Sequence, residues 1–62
     1  MKVGNLVKER CSGEIGLVME RHKRTEICGP DGDFMIYFRY LVLFDTGRRT
    51  ICDRNSVEVI ND

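Results

Sequence analysis

Half of the ten Lys and Arg residues fall in two short stretches that could meet an anion, Arg21-His22-Lys23-Arg24 and Arg48-Arg49. Brought to one side of a sheet, Arg21, Lys23, Arg24, Arg48 and Arg49 would track a nucleic-acid backbone, with Tyr37 or Tyr40 offering a face on which a base could stack. Carboxylates flank both stretches, however: Glu14, Glu20 and Glu26 the first, Asp45 and Asp53 the second. Cross-strand ion pairs on a solvated face account for the same residues without a ligand. Cys11, Cys28, Cys52 and His22 have the donor atoms of a zinc site, but no two of them sit at the short separation by which one turn presents two ligands. The reading is no metal and no cofactor, with the cysteines as small apolar residues.

Nucleophilic chemistry finds as little support. Cys28 and His22 are the pair a hairpin could bring together, yet no orienting group or oxyanion-binding element accompanies them. Ser12 and Ser56 lie in turn-like contexts, where a hydroxyl usually bonds to nearby backbone. Gly29-Pro30-Asp31-Gly32-Asp33 lacks both the Lys of a phosphate-binding loop and the alternating carboxylates of a calcium loop. It reads as a turn, and the protein reads as non-enzymatic.

The elements that must position these groups are short strands. A Gly4-Asn5 step leads into a brief first strand through Leu6 and Val7, and a second begins at Ile15 and runs to His22. In that second strand Ile15, Leu17 and Met19 alternate with Glu14, Gly16 and Glu20, and Val18 is the exception. Gly13 and Gly16 there suggest a bend or a close backbone approach. The Gly29–Asp33 turn closes a hairpin onto the longest β-prone run, residues 34–44. On one parity of that run stand Phe34, Ile36, Phe38, Tyr40, Val42 and Phe44, without a charge; these are the expected core face. Asp45-Thr46-Gly47 turns into a fourth strand over 48–52, Asp53–Ser56 forms a single helical turn or loop, and a fifth strand covers 57–60.

With 62 residues the chain holds one small domain over 1–62 and one modest core. Val18, Phe38, Val42, Phe44, Val57 and Val59 suffice to fill it. The ten acidic residues cancel the ten basic ones, which is not the balance of a histone-like polycation. A hydrophobic fraction of 42% beside 32% charged residues fits a soluble globular domain. The longest apolar run is eleven residues with Arg39 inside it, too short for a bilayer span, and no secretory signal pattern opens the chain. Three cysteines cannot close a complete disulfide set, so reduced thiols and a cytoplasmic setting are expected.

Five strands, a bend at glycines in the second and a polar turn before the fifth make a strongly curved antiparallel barrel the economical architecture. Four segments carry a resemblance: Val3-Gly4-Asn5-Leu6-Val7; Gly13-x-x-Gly16-x-Val18; Tyr40-Leu41-Val42-Leu43-Phe44-Asp45-x-Gly47; and Asn55-Ser56-Val57-Glu58-Val59-Ile60. In their order and spacing they resemble the small SH3-like barrels of the KOW and Tudor type, among them many short bacterial and phage proteins. The likeness spans most of the chain outside residues 21–33. It implies an all-β, five-stranded SH3-like barrel acting as a binding module whose ligands range from RNA and DNA to protein segments.

The second parity of the long strand bears on that choice. Met35, Tyr37, Leu41 and Leu43 would face away from so small a core, and contiguous exposed apolar surface on a monomer usually marks an interface. A protein–protein contact through these residues, with self-association as one form of it, is therefore the leading expectation. Nucleic-acid binding through the basic stretches is the alternative.

Overall fold

The computed structural model describes residues 1–61 and consists of one antiparallel sheet without a helix: β1 (Leu6–Glu9), β2 (Ile15–Ile27), β3 (Phe34–Phe44), β4 (Arg49–Asp53) and β5 (Val57–Val59). The strand order is β4-β3-β2-β1-β5. Sequential strands pair as a meander, and β5 returns to lie beside β1, with Val7 opposite Val59. This is the five-stranded order of a small SH3-like barrel. No ladder joins β4 to β5 among the described residues.

Val7, Val18, Tyr40, Val42, Phe44, Cys52 and Val57 form the core, so all five strands contribute to it. Gly16 lies beneath it. A Cβ there would stand 2.5 Å from Val42 Cγ1 and 2.9 Å from Phe44 Cδ1, so the close approach expected of this glycine is real. The bulge lies further on, where Val18 pairs with Val42 but Glu20 pairs with Leu41, leaving Met19 unmatched. One extra residue shifts the alternation of β2, so even positions face inward before Met19 and odd positions after it. For this reason Val18, the exception to the sequence alternation, is the core residue, whereas Leu17 and Met19 are exposed.

The termini are tied together across the sheet. Asn5 is buried, accepts from the Lys2 N–H at 2.8 Å and donates to the Asn61 carbonyl, while the Leu6 N–H donates to Asn61 Oδ1 at 2.6 Å.

Several expectations need correction. β2 continues past His22 to Ile27, because its backbone pairs with β3 as far as Phe34. β4 covers Arg49–Asp53, and β5 ends at Val59. Phe38 and Val59 are exposed and not in the core, whose places are taken by Val7, Tyr40 and Cys52. The expected parity of β3 holds along its length, but it leads to burial only at Tyr40, Val42 and Phe44, where other strands close over it. Phe34, Ile36 and Phe38 share that face beyond the barrel and remain exposed.

Candidate functional site: a protruding hairpin arm

β1 pairs with β2 only over Ile15–Leu17, with two further backbone bonds at Val18, and β4 pairs with β3 only over Arg39–Leu43. Residues 23–27 and 34–38 therefore continue as a two-stranded ribbon beyond the sheet. The molecule accordingly measures 43 × 21 × 19 Å, with a radius of gyration of 13.3 Å. A compact chain of this length would have roughly 10.5 Å. The tip is closed by the Cys28 N–H donating to the Asp33 carbonyl at 2.6 Å, with Gly29 and Gly32 at positive φ.

The register sorts the arm's side chains. The face continuous with the core carries Arg21, Lys23, Thr25 and Ile27 opposite Tyr40, Phe38, Ile36 and Phe34. The outer face carries Glu20, His22, Arg24 and Glu26 opposite Leu41, Arg39, Tyr37 and Met35. Ile27 is 77% exposed, Phe34 64%, Met35 50% and Ile36 48%, which places a large apolar surface on the thinnest part of the fold. Arginines cover part of it: the Arg21 guanidinium sits 4.9 Å from the centre of the Phe38 ring, and Arg39 5.8 Å from that of Tyr37. At the root of the arm a cleft of about 390 Å³ is lined by Ile36, Tyr37, Phe38, Tyr40, Asp53, Arg54 and Asn55.

The proposed contact residues Met35, Tyr37, Leu41 and Leu43 all lie on the outer face of β3. Leu41 and Leu43 are half-buried and border a hollow with Met19, Glu20 and Arg49, while Met35 and Tyr37 stand out on the arm. The basic residues do not converge. Arg21 and Lys23 take one face of the arm and Arg24 the other, and Arg49 lies beside Leu43 on the outer face of the barrel. Tyr40 is buried and offers no stacking surface; Tyr37 is partly exposed.

Arg48 is committed within the fold. Its Nη2 donates to Glu9 Oε1 and to Glu14 Oε2, both at 2.6 Å, and its guanidinium lies 4.4 Å from the centre of the Phe44 ring. The Ser12 hydroxyl (2.6 Å) and Arg48 hold Glu9 below the usual carboxylate range, and the Thr46 hydroxyl (2.7 Å) and Arg48 do the same for Glu14. The two carboxylates in turn raise the Arg48 pKa. Asp53 is lowered by the Ser56 hydroxyl and N–H, a turn cap that explains both residues structurally. The sequence set Glu14 beside the first basic stretch and Asp45 and Asp53 beside Arg48; the actual partners of Arg48, Glu9 and Glu14, had no local signal. Burial pushes the Cys52 thiol up, and Cys11 and Cys28 are exposed free thiols. Among the described residues no group of three His, Cys, Asp or Glu side chains could hold a metal ion, and no helix is long and apolar enough to cross a membrane.

Comparison with protein-family models finds none that matches the chain, and neither the curated proteins nor the solved structures yield a match.

Proposed function

We propose that the protein is a non-enzymatic binding module of the KOW/Tudor kind of small barrel that acts through protein–protein contacts, with the β2–β3 arm and the outer face of β3 as its working surface. The carrying observation is exposed apolar surface on both faces of a ribbon that contributes nothing to the core: Ile27, Phe34 and Ile36 on one face and Met35 on the other. A two-stranded ribbon gains little by itself in water, and surface of this kind on a small protein is characteristic of an interface. Replacing residues 23–38 by Asn-Gly, so that His22 and Arg39 close a two-residue hairpin, tests the reading. Immobilised wild type and trimmed protein are compared for capture from an extract of the producing organism, with and without nuclease. Proteins retained by the wild type, lost on trimming and unaffected by nuclease are the expected result. Equal capture by both proteins, or capture that nuclease abolishes, overturns it.

Nucleic-acid binding is the second reading, favoured by Arg24, Arg39 and Arg49 on the same outer face as the partly exposed Tyr37. It predicts a salt-sensitive mobility shift with single-stranded or duplex probes, weakened together by charge reversal at Arg24 and Arg49.

A further inference from the structure

We propose that the open edge of β3 over Phe34–Phe38 is a strand-pairing site whose occupant is the same edge of a second copy, antiparallel about a two-fold axis at Ile36. The proposal rests on the binding-module reading and names its partner.

The phase of the backbone follows from the tip. Because the Cys28 N–H bonds to the Asp33 carbonyl, the alternation of an antiparallel ladder turns the backbone groups of Met35, Tyr37 and Arg39 toward β2. Those of Phe34, Ile36 and Phe38 point the other way, into the space that β4 leaves beyond Asp53. By the same alternation Arg21, Lys23, Thr25 and Ile27 present their backbone groups on the opposite edge, along β2.

The two edges differ in chemistry. The β2 edge runs through Arg21-His22-Lys23-Arg24, the kind of charged side chains that block edge-to-edge pairing, and a copy laid antiparallel about Arg24 would set Arg24 against itself. The β3 edge is Phe34-Met35-Ile36-Tyr37-Phe38, five residues without a charge. About a two-fold axis at Ile36, Ile36 faces its own copy and Phe34 faces Phe38, so the outward groups meet as about six ladder hydrogen bonds. The result is a continuous four-stranded ribbon, past the point at which a hairpin becomes stable in water.

Length selects a second copy over an arbitrary extended segment. The open window is bounded on one side by the tip turn and on the other by the end of β4 at Asp53. A partner strand must therefore turn away at Asp53, where β4 ends, and this chain's own hairpin turns there. The acidic tip, with Asp31 and Asp33, then arrives at the root cleft, where Arg54 lines the wall and Arg39 is the next residue of β3.

Sedimentation velocity with backbone hydrogen exchange read by NMR tests this on the full chain. Expected are a concentration-dependent dimer and, on going from dilute to concentrated protein, at least about tenfold slower exchange at the amides of Phe34, Ile36 and Phe38, with no gain at Arg21, Lys23 and Thr25. Ile36→Pro removes an N–H that faces outward and leaves the β2 ladder its donors, so it should give a folded monomer; Ile36→Lys places a charge on the edge and should do the same. A wild type that stays monomeric at about 1 mM overturns the proposal, as does new protection confined to the β2 edge, or a dimer that survives both variants. A monomer that still captures a protein lost on trimming the arm rejects the second copy as partner while leaving the module reading in place.

Discussion

β2 and β3 run through two environments, and the same parity of the same strand has opposite fates in them. Within the barrel Tyr40, Val42 and Phe44 are buried, whereas Phe34, Ile36 and Phe38, also even positions of β3, stand exposed on the arm. Side-chain type does not make the difference, since each set pairs aromatic with aliphatic residues. It lies in what covers them: Val7 of β1, Cys52 of β4 and Val57 of β5 close over the first set, and none of those strands reaches the second. Burial in this molecule is set by strand length, with β2 and β3 at 13 and 11 residues against 4, 5 and 3 for the others.

The sharpest way to break this comparison is to fill the space below Gly16. Gly16→Val forces a branched side chain toward Val42, Phe44 and the Leu43 carbonyl, which lies 3.1 Å from where the Cβ would sit. The expected cost of about 3 kcal/mol or more is comparable to the whole stability of so short a domain, roughly 3 to 9 kcal/mol. Loss of the folded dispersion in an NMR spectrum is the expected outcome, and a variant melting within a few degrees of wild type would contradict the packing. A matched pair comes next. Phe44→Ala should cost about 3 to 5 kcal/mol, whereas Phe34→Ala, the same change ten positions earlier in β3, should stay within about 0.5 kcal/mol in the monomer. Urea denaturation of dilute protein measures both, and equal costs would mean that the arm belongs to the cooperative fold.

Most of the barrel was legible because its signals are local. The glycines, the Gly29–Asp33 tip, the Asp45–Gly47 turn and the uncharged parity of residues 34–44 each fix a strand or a turn. Of the arm, the tip and the β3 half were legible, but the β2 half beyond His22 was not, because Lys23–Glu26 is polar and its strand character comes only from pairing with β3. Nor did the alternation of β2 disclose an unmatched Met19: Val18 broke the pattern, but a run of three apolar residues, Leu17 to Met19, does not say which of them the pairing skips. The basic stretch invited a single surface; strand alternation divides it between two faces, and Arg48 is taken up by Glu9, whose contribution depends on where β1 lies. The outward set Met35, Tyr37, Leu41 and Leu43 was readable as a face, but its division between arm and barrel was not.

A smaller effect separates the regions by pH. Glu9, Glu14 and Asp53, held below the ordinary carboxylate range, bind protons more weakly folded than unfolded, so stability rises with pH across the interval between the two values. It should be flat above the unfolded values near 4.5 and 3.8 and fall as pH drops through the lowered folded ones. Arg48→Met should make that acid limb shallower through Glu9 and Glu14, leaving the share of Asp53 and of the Ser12 and Thr46 hydrogen bonds in place. Arg49→Met, next along the chain but outside the carboxylate clamp, should leave its shape unchanged. Thermal melts between pH 7 and about 2.5 decide it; identical acid limbs in the two variants would show that the clamp is not what the protons disrupt.

The smallest expected effect is inside the arm itself, where Arg21 lies over Phe38 across the strand pair. An exposed contact of this kind contributes about 0.5 to 1 kcal/mol. Because the ribbon can open without unfolding the barrel, global denaturation is the wrong reading of it. The amides of Tyr37 and Arg39, which point into the β2 ladder, report local opening of the arm, and those of Val18 and Val42 report the barrel. Arg21→Gln and Phe38→Leu should each speed exchange at the first pair by about two- to fivefold in dilute protein, with the double variant adding less than the sum in free energy, and should leave the second pair unchanged. If exchange at Val18 and Val42 moves with them, arm and barrel open together, and the distinction drawn from their burial does not extend to their stability.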